Sequence, residues 1–186
     1  MGALISNLKP IVTAIAAIVM FSLPLRGATA DIDALLQQLQ GADSVQAGKI
    51  DREIALEWSK TGSASMDLLL KRGRDALDIS DYAAAIDHFT ALTDHAPFFA
   101  EGWHGRARAY FATGLVGPAL ADLEQTLALN PRNYQAIYGL AVILEQLEQY
   151  DAAYDAFAQV LELHPNHANS AEALTRLTPR VNGVKL

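Results

Sequence analysis

Two histidines near the C-terminus have the spacing of a possible metal site. His164 and His167 are separated by Pro-Asn, and a pair at this spacing could ligate a metal on a helix. A protein metal site needs three or four ligands, and no third ligand stands nearby in the sequence. His88 and His95 are equally without partners. We therefore predict that His164 and His167 lie on an exposed turn and that the chain has no metal site.

The acidic residues do not suggest catalysis either. The pairs Asp31/Asp33 and Asp78/Asp81 fall at expected helix starts or loops, where carboxylates interact favourably with the helix dipole. Acid–base catalysis instead needs a closed pocket that shifts a pKa. The sequence contains no glycine-rich phosphate loop, no Gly-x-Ser-x-Gly motif and no cysteine. We predict that the protein is not an enzyme and uses no cofactor.

Charge, length and composition narrow the possible ligands and the fold class of the protein. The chain has 186 residues, enough for one domain with or without a tail, and a formal net charge of −7. An acidic surface repels phosphate groups, which argues against nucleic acid or an anionic membrane surface as the main ligand. Alanine and leucine are abundant, and this composition favours helices over strands.

The first 30 residues have the three-part layout of a secretory signal peptide. A polar start with Lys9 precedes the apolar run 11–25, and a small-x-small site ends at Ala30. We expect cleavage after Ala30 and, in a Gram-negative bacterium, a periplasmic protein without a stable membrane span. The alternative is an uncleaved anchor, although about 15 apolar residues are short for a bilayer core, which needs roughly 20.

A 34-residue period runs through the second half of the chain. Pro97, Pro131 and Pro165 stand 34 residues apart. Several other positions keep the same period: Gly73/Ala107/Ala141, Tyr82/Val116/Tyr150, Ala85/Ala119/Ala153 and Phe89/Leu123/Phe157. This period and residue set resemble the tetratricopeptide-repeat (TPR) family. The three units are Met66–Phe99, Ala100–Asn133 and Tyr134–His167.

The resemblance implies an all-α fold, an α-solenoid of three helical hairpins. The middle unit has family residues at its signature positions: Trp103, Ala107, Tyr110, Ala119 and Pro131. Its Arg106 and Leu123 replace the family's usual leucine and phenylalanine. In each hairpin, small residues allow the two helix backbones to approach closely, and each proline ends the second helix.

Both flanks of the repeats are expected to be helical. Residues 31–65 lie outside the period and predict an extra hairpin, whose break at 41–43 provides Asp43 as a possible helix cap. We expect this hairpin to cover the open N-terminal end of the stack. Residues 168–186 predict a capping helix, which Pro179 stops, followed by a loose tail.

The TPR resemblance also implies a binding surface. In this family the first helices of the hairpins line a concave groove, and the inward positions are fixed. The groove residues predicted here are Arg74, His104, Arg108, Phe111, Gln135, Tyr138, Val142 and Glu145. Phe111 and Tyr138 are the expected apolar anchors, and Arg74 and Arg108 could pair with an acidic group. These residues could instead be solvated, with the true contact elsewhere.

One family variant grips a C-terminal carboxylate with basic and asparagine residues. The corresponding positions here are Leu70, Arg74, Gly105, Gln135 and Gly139, of which only Arg74 has the required charge. This binding mode is therefore disfavoured.

The sequence predicts an interaction adaptor or scaffold of the cell envelope that binds a peptide or protein in its groove. The alternative is a structural subunit or homo-oligomer of an envelope assembly, with contacts on the convex face or the terminal helices. The residues do not identify the partner.

Overall fold

The computed structural model describes residues 31–181 and residue 183. The predicted signal peptide and its cleavage site after Ala30 lie outside the described residues, as do residue 182 and residues 184–186 of the predicted tail.

The described part of the chain consists of nine helices and contains no strand, so the predicted all-α class is confirmed. They are α1 (Ile32–Gly41), α2 (Ser44–Trp58), α3 (Ala64–Asp78), α4 (Tyr82–His95), α5 (Ala100–Ala112), α6 (Val116–Leu129), α7 (Tyr134–Gln146), α8 (Tyr150–Leu163) and α9 (Ala168–Val181). None of these helices is both long and apolar enough to span a bilayer.

The repeats form three helical hairpins, α3–α4, α5–α6 and α7–α8, and the predicted α-solenoid is confirmed. The periodic small residues explain the close packing. Ala85, Ala119 and Ala153 are completely buried at equivalent places on the second helices. Phe89 lies between two glycines: an added Cβ would come within 2.6 Å of its ring at Gly73 and within 2.4 Å at Gly105.

Side chains cap the starts of two helices, one of them at the predicted Asp43. The Asp43 carboxylate accepts hydrogen bonds from the backbone N–H groups of Val45 and Gln46, and so caps α2. Asn133 caps α7, because its side-chain oxygen accepts from the N–H of Ala136 at 3.0 Å. These caps fix where α2 and α7 start.

The turn inside each hairpin has a left-handed residue at the same repeat position. These residues are Ser80 with φ 61°, Gly114 with φ 77° and Glu148 with φ 59°. A left-handed conformation costs an ordinary L-residue roughly 1–2 kcal/mol and costs glycine almost nothing.

Replacing Glu148 by glycine should therefore stabilise the protein. Removing the strain of the left-handed backbone stabilises the folded state by about 1–2 kcal/mol. About 0.4–1 kcal/mol of this gain is lost, because glycine makes the unfolded chain more flexible. Glu148 is exposed, so little packing is lost. We expect a higher free energy of unfolding in urea titration. The reverse change, Gly114→Ala, should lower it, and two changes of the same sign would contradict this account.

The N-terminal hairpin, α1–α2, is present, but its predicted place at the N-terminal end of the stack is wrong. It packs on the third repeat, where its buried Leu35, Leu39 and Ile54 form one cluster with Ile137 and Val160. The three leucines of α1 predict a buried face but not its partner. The third repeat supplies that partner through the buried Tyr134, Ile137 and Val160.

The C-terminal helix α9 packs on α8, as a cap of the last repeat. Its buried Ala173 and Leu177 join the cluster around Phe157. Pro179 was expected to stop it, but α9 continues to Val181. Proline in the last turn removes only one backbone hydrogen bond, so the helix can end two residues later.

Candidate functional site

A pocket of about 270 Å³ opens between the first helices of the second and third repeats, α5 and α7. Six of the predicted groove residues line it: His104, Arg108, Phe111, Gln135, Tyr138 and Val142. Leu123, Ile143 and His167 are among the other residues that line it. We call it the groove pocket.

Helix geometry brings these residues together. On α5, His104, Arg108 and Phe111 are four and three residues apart, so their side chains project from one face. The inward residues of α7 have equivalent spacing. Gly139 stands between them on α7 and carries no side chain, which keeps the space beside Leu123 open.

Two predicted groove residues, Arg74 and Glu145, do not line the pocket and are paired within the chain. Arg74 donates to the Glu101 carboxylate at 3.2 Å and to the Ser59 hydroxyl at 2.7 Å. Glu145 accepts two hydrogen bonds from Arg176 of α9, at 2.9 and 2.8 Å. Arg74 and Glu145 therefore each have an opposite charge beside them.

The carboxylate of Glu101 is buried beneath the groove, with a side chain only 9% exposed. It accepts from the Asn133 amide at 2.9 Å and lies 3.6 Å from Nδ1 of His104. Burial alone would raise the pKa of this carboxyl. His104, followed by Arg74 and Asn133, outweighs burial and leaves the pKa below its ordinary value of 4.5. Glu101 is thus ionised at neutral pH.

The N-terminal hairpin packs on Tyr134, at the start of the inner helix α7. Its Asp51 accepts a hydrogen bond from the Tyr134 hydroxyl. The rings of Trp58 and Tyr134 pack at a tilt, with their centroids 5.4 Å apart. Burial, with the hydrogen bond to Asp51, raises the pKa of Tyr134 well above its ordinary value, so the hydroxyl stays protonated as a donor. Tyr138 contacts both the hairpin cluster and the groove pocket.

The turn between α1 and α2 is also held against the third repeat by hydrogen bonds. Asn166 donates to the Ala42 carbonyl at 2.7 Å, and Gln40 donates to the Glu162 carbonyl at 3.2 Å. Arg132 pairs with Asp33 at 2.6 Å. Contacts at both ends of the N-terminal hairpin therefore hold it against the repeats.

The prediction of an exposed turn at His164 and His167 is wrong. His164 is only 6% exposed, and its ring meets the edges of the Tyr134 and His167 rings. His167 lines the pocket beside Tyr138, and its Nδ1 accepts from the Ser170 N–H at the start of α9. His167 occupies the same repeat position as Asn133, 34 residues earlier, and Asn133 is buried. The repeat register could therefore have indicated that His167 packs against the protein. Within residues 31–181, no three potential ligands group as a metal site requires.

The buried histidines should make stability depend on pH. Burial lowers the pKa of His164 below its ordinary 6.5, and burial with the neighbouring His164 lowers that of His167. Below that ordinary value the unfolded chain binds more protons than the folded one, so stability falls as the pH falls. His164→Leu should lose less stability than the wild type between about pH 7.5 and 5.5. Urea titrations at both pH values measure this.

The comparison at the higher pH is the internal control for that experiment. At the higher pH His164 is neutral in the folded and the unfolded state, so any difference in stability between the wild type and His164→Leu reflects packing alone. If the wild type and His164→Leu lose the same stability between the two pH values, His164 is not a source of the pH dependence.

Comparison with known proteins agrees with the geometry. Models of the tetratricopeptide repeat match residues 70–117 and 117–177. A TPR repeat-containing protein of Rhizobium etli is 29% identical over 153 residues, which make up 82% of this chain and 75% of that protein. Hsp70-Hsp90 organizing protein 1 of Glycine max is 21% identical over 60% of this chain, but this covers only 20% of that protein.

Solved structures share the fold. The first TPR domain of Spaghetti (RPAP3), bound to the HSP90 peptide SRMEEVD, has a TM-score of 0.61 and 24% identity, over 63% of this chain and 94% of that one. MamA has a TM-score of 0.60 and 18% identity, over 80% of this chain and 84% of that one. Because the two repeat matches meet at residue 117 and cover hairpins that stack with a 34-residue period, this chain belongs to the tetratricopeptide-repeat family.

Proposed function

We propose that this chain is a non-catalytic adaptor that binds a peptide or protein partner in the groove pocket. The observation that carries the proposal is an apolar pocket, bordered by Phe111 and Tyr138, with the exposed Arg108 at its side. Aromatic rings offer large contact areas at low entropic cost, and interfaces use them as anchors. A TPR domain of the same fold holds an HSP90 peptide, which supports binding of a polypeptide.

Enzymatic activity has no support in the described site. The groove pocket contains two histidines, but its remaining walls are mainly apolar. One structural neighbour is an O-GlcNAc transferase, and this chain covers only 23% of it. That likeness is one of fold, so it supplies no argument for transfer chemistry here.

The proposed location is the cell envelope, reached through the predicted signal peptide. The support is the pattern of residues 1–30, with a basic start, an apolar run and a small-x-small end. Mass spectrometry of the protein purified from its own cells tests this proposal. We expect a chain that begins at Asp31, and a chain that begins at Met1 would contradict cleavage.

The double variant Arg108→Glu, Tyr138→Ala should lose its partners. It reverses the charge beside the pocket and removes an anchor ring, and a binding hot spot contributes about 2 kcal/mol or more. We expect recovery of partners from an envelope extract to fall at least about tenfold. Quantitative mass spectrometry of the captured proteins measures this.

A matched control is Arg72→Glu, the same charge change at an exposed residue of α3 outside the pocket. It should leave capture unchanged. Thermal unfolding of each variant confirms that the fold survives. If the double variant is folded and still captures every partner, the groove pocket is not the binding site.

A further inference from the structure

The N-terminal hairpin bounds the groove pocket on one side, because Tyr138 both packs on the hairpin cluster and lines the pocket. The hairpin covers the region around Tyr134, which is 1% exposed, and its end at Ser59 accepts a hydrogen bond from Arg74 of the first repeat. Asp51 and Trp58 contact Tyr134 on α7, and Ser59 contacts Arg74 on α3, so an extended peptide running along both of these inner helices would meet α2. The groove pocket between α5 and α7 stays open beside the hairpin.

The size and lining of the groove pocket fit one side chain. Its volume of about 270 Å³ is below the roughly 300–1,000 Å³ of sites for drug-sized ligands. Phe111, Tyr138 and Val142 provide apolar walls. Burying one large apolar side chain there contributes about 1.5–3 kcal/mol, and a polar group would lose its hydration.

The charges beside the pocket leave one cation uncompensated. Glu101 is neutralised by Arg74, and Glu145 by Arg176. Burial lowers the pKa of His167, which leaves this ring neutral near pH 7. Within the described part of the chain, Arg108 forms no salt bridge, and its side chain is exposed. Its guanidinium can pair with a carboxylate at two points.

From these three observations we propose that the partner presents a short segment with one bulky apolar side chain for the groove pocket and an aspartate or glutamate beside it for Arg108. The inference rests on the proposed function and specifies the partner's chemistry. The hairpin is then a permanent wall that limits recognition to a few consecutive residues.

Selection of random seven-residue peptides displayed on phage tests this proposal on the purified protein. We expect the enriched peptides to share one Phe, Leu, Met or Trp within two positions of an Asp or Glu. The variant Arg108→Glu should change the acidic preference to Lys or Arg, whereas Arg72→Glu should not change it. Val142→Trp, which fills the pocket, should abolish the apolar preference.

Fluorescence polarisation with one enriched peptide provides the quantitative measurement. Arg108→Glu should weaken its binding at least about tenfold. If peptides are enriched but lack the acid, or need a motif of five or more fixed positions, the inference fails and the proposed function stands. If the folded wild type enriches no peptide, both fail.

Discussion

Asp122→Ala should lower the free energy of unfolding by about 3–5 kcal/mol, because it leaves a largely buried arginine without its counter-charge. Arg106 and Asp122 form two hydrogen bonds, of 2.8 and 2.9 Å, and their side chains are only 14% and 6% exposed. The guanidinium also donates to the Thr90 and Thr93 hydroxyls. Urea unfolding of both proteins at neutral pH measures the loss.

Two further variants identify the cause of that loss. Lys71 and Asp75 pair at 2.6 Å on the exposed face of α3, so Asp75→Ala should change stability by less than about 1 kcal/mol. Adding Arg106→Leu to Asp122→Ala removes the orphaned charge and should recover most of the lost stability. A double variant as unstable as Asp122→Ala alone would show that the charge was not responsible.

Gly105→Ala should destabilise the protein by about 1–3 kcal/mol through overpacking. The new Cβ would lie 2.4 Å from Cε1 of Phe89. That ring is fully buried, and Gly73 confines its other side, so it has no space to move away. Thermal and urea unfolding provide the measurement.

The third repeat supplies the matched control for this prediction. Gly139 occupies the position equivalent to Gly105, and its added Cβ would meet Leu123 at an ordinary 3.5 Å. Since alanine favours a helix over glycine by roughly 0.5–1 kcal/mol, Gly139→Ala should be neutral or stabilising. Equal destabilisation by both substitutions would contradict the role assigned to Phe89.

Local pattern was sufficient to predict the repeats, and the family resemblance implied the six predicted residues that line the groove pocket. The 34-residue period gives the hairpins, and the spacing of His104, Arg108 and Phe111 places them on one face of a helix by geometry alone. Asp43 as a cap depends only on the residues that follow it. Such features could be predicted because each is determined within a few turns of chain.

The features that sequence reasoning missed depend on contacts between distant segments. The amphipathic pattern of the N-terminal hairpin requires burial but does not identify the third repeat as its partner, since Asp51 and Tyr134 are 83 residues apart. The burial of His164 follows from that same contact. Arg106 departs from the family's leucine, and a core-facing arginine does predict an acid nearby. It does not identify Asp122.

The attachment of the N-terminal hairpin to the third repeat adds contacts between segments that are far apart in the sequence. In a linear array of repeats each unit touches only its neighbours, so either end can fray independently. Here the Ala42 carbonyl and the Asn166 amide join segments 124 residues apart, and the first and last hairpins share a buried cluster. Loosening the N-terminal hairpin would therefore also remove contacts of the third repeat, at the far end of the sequence.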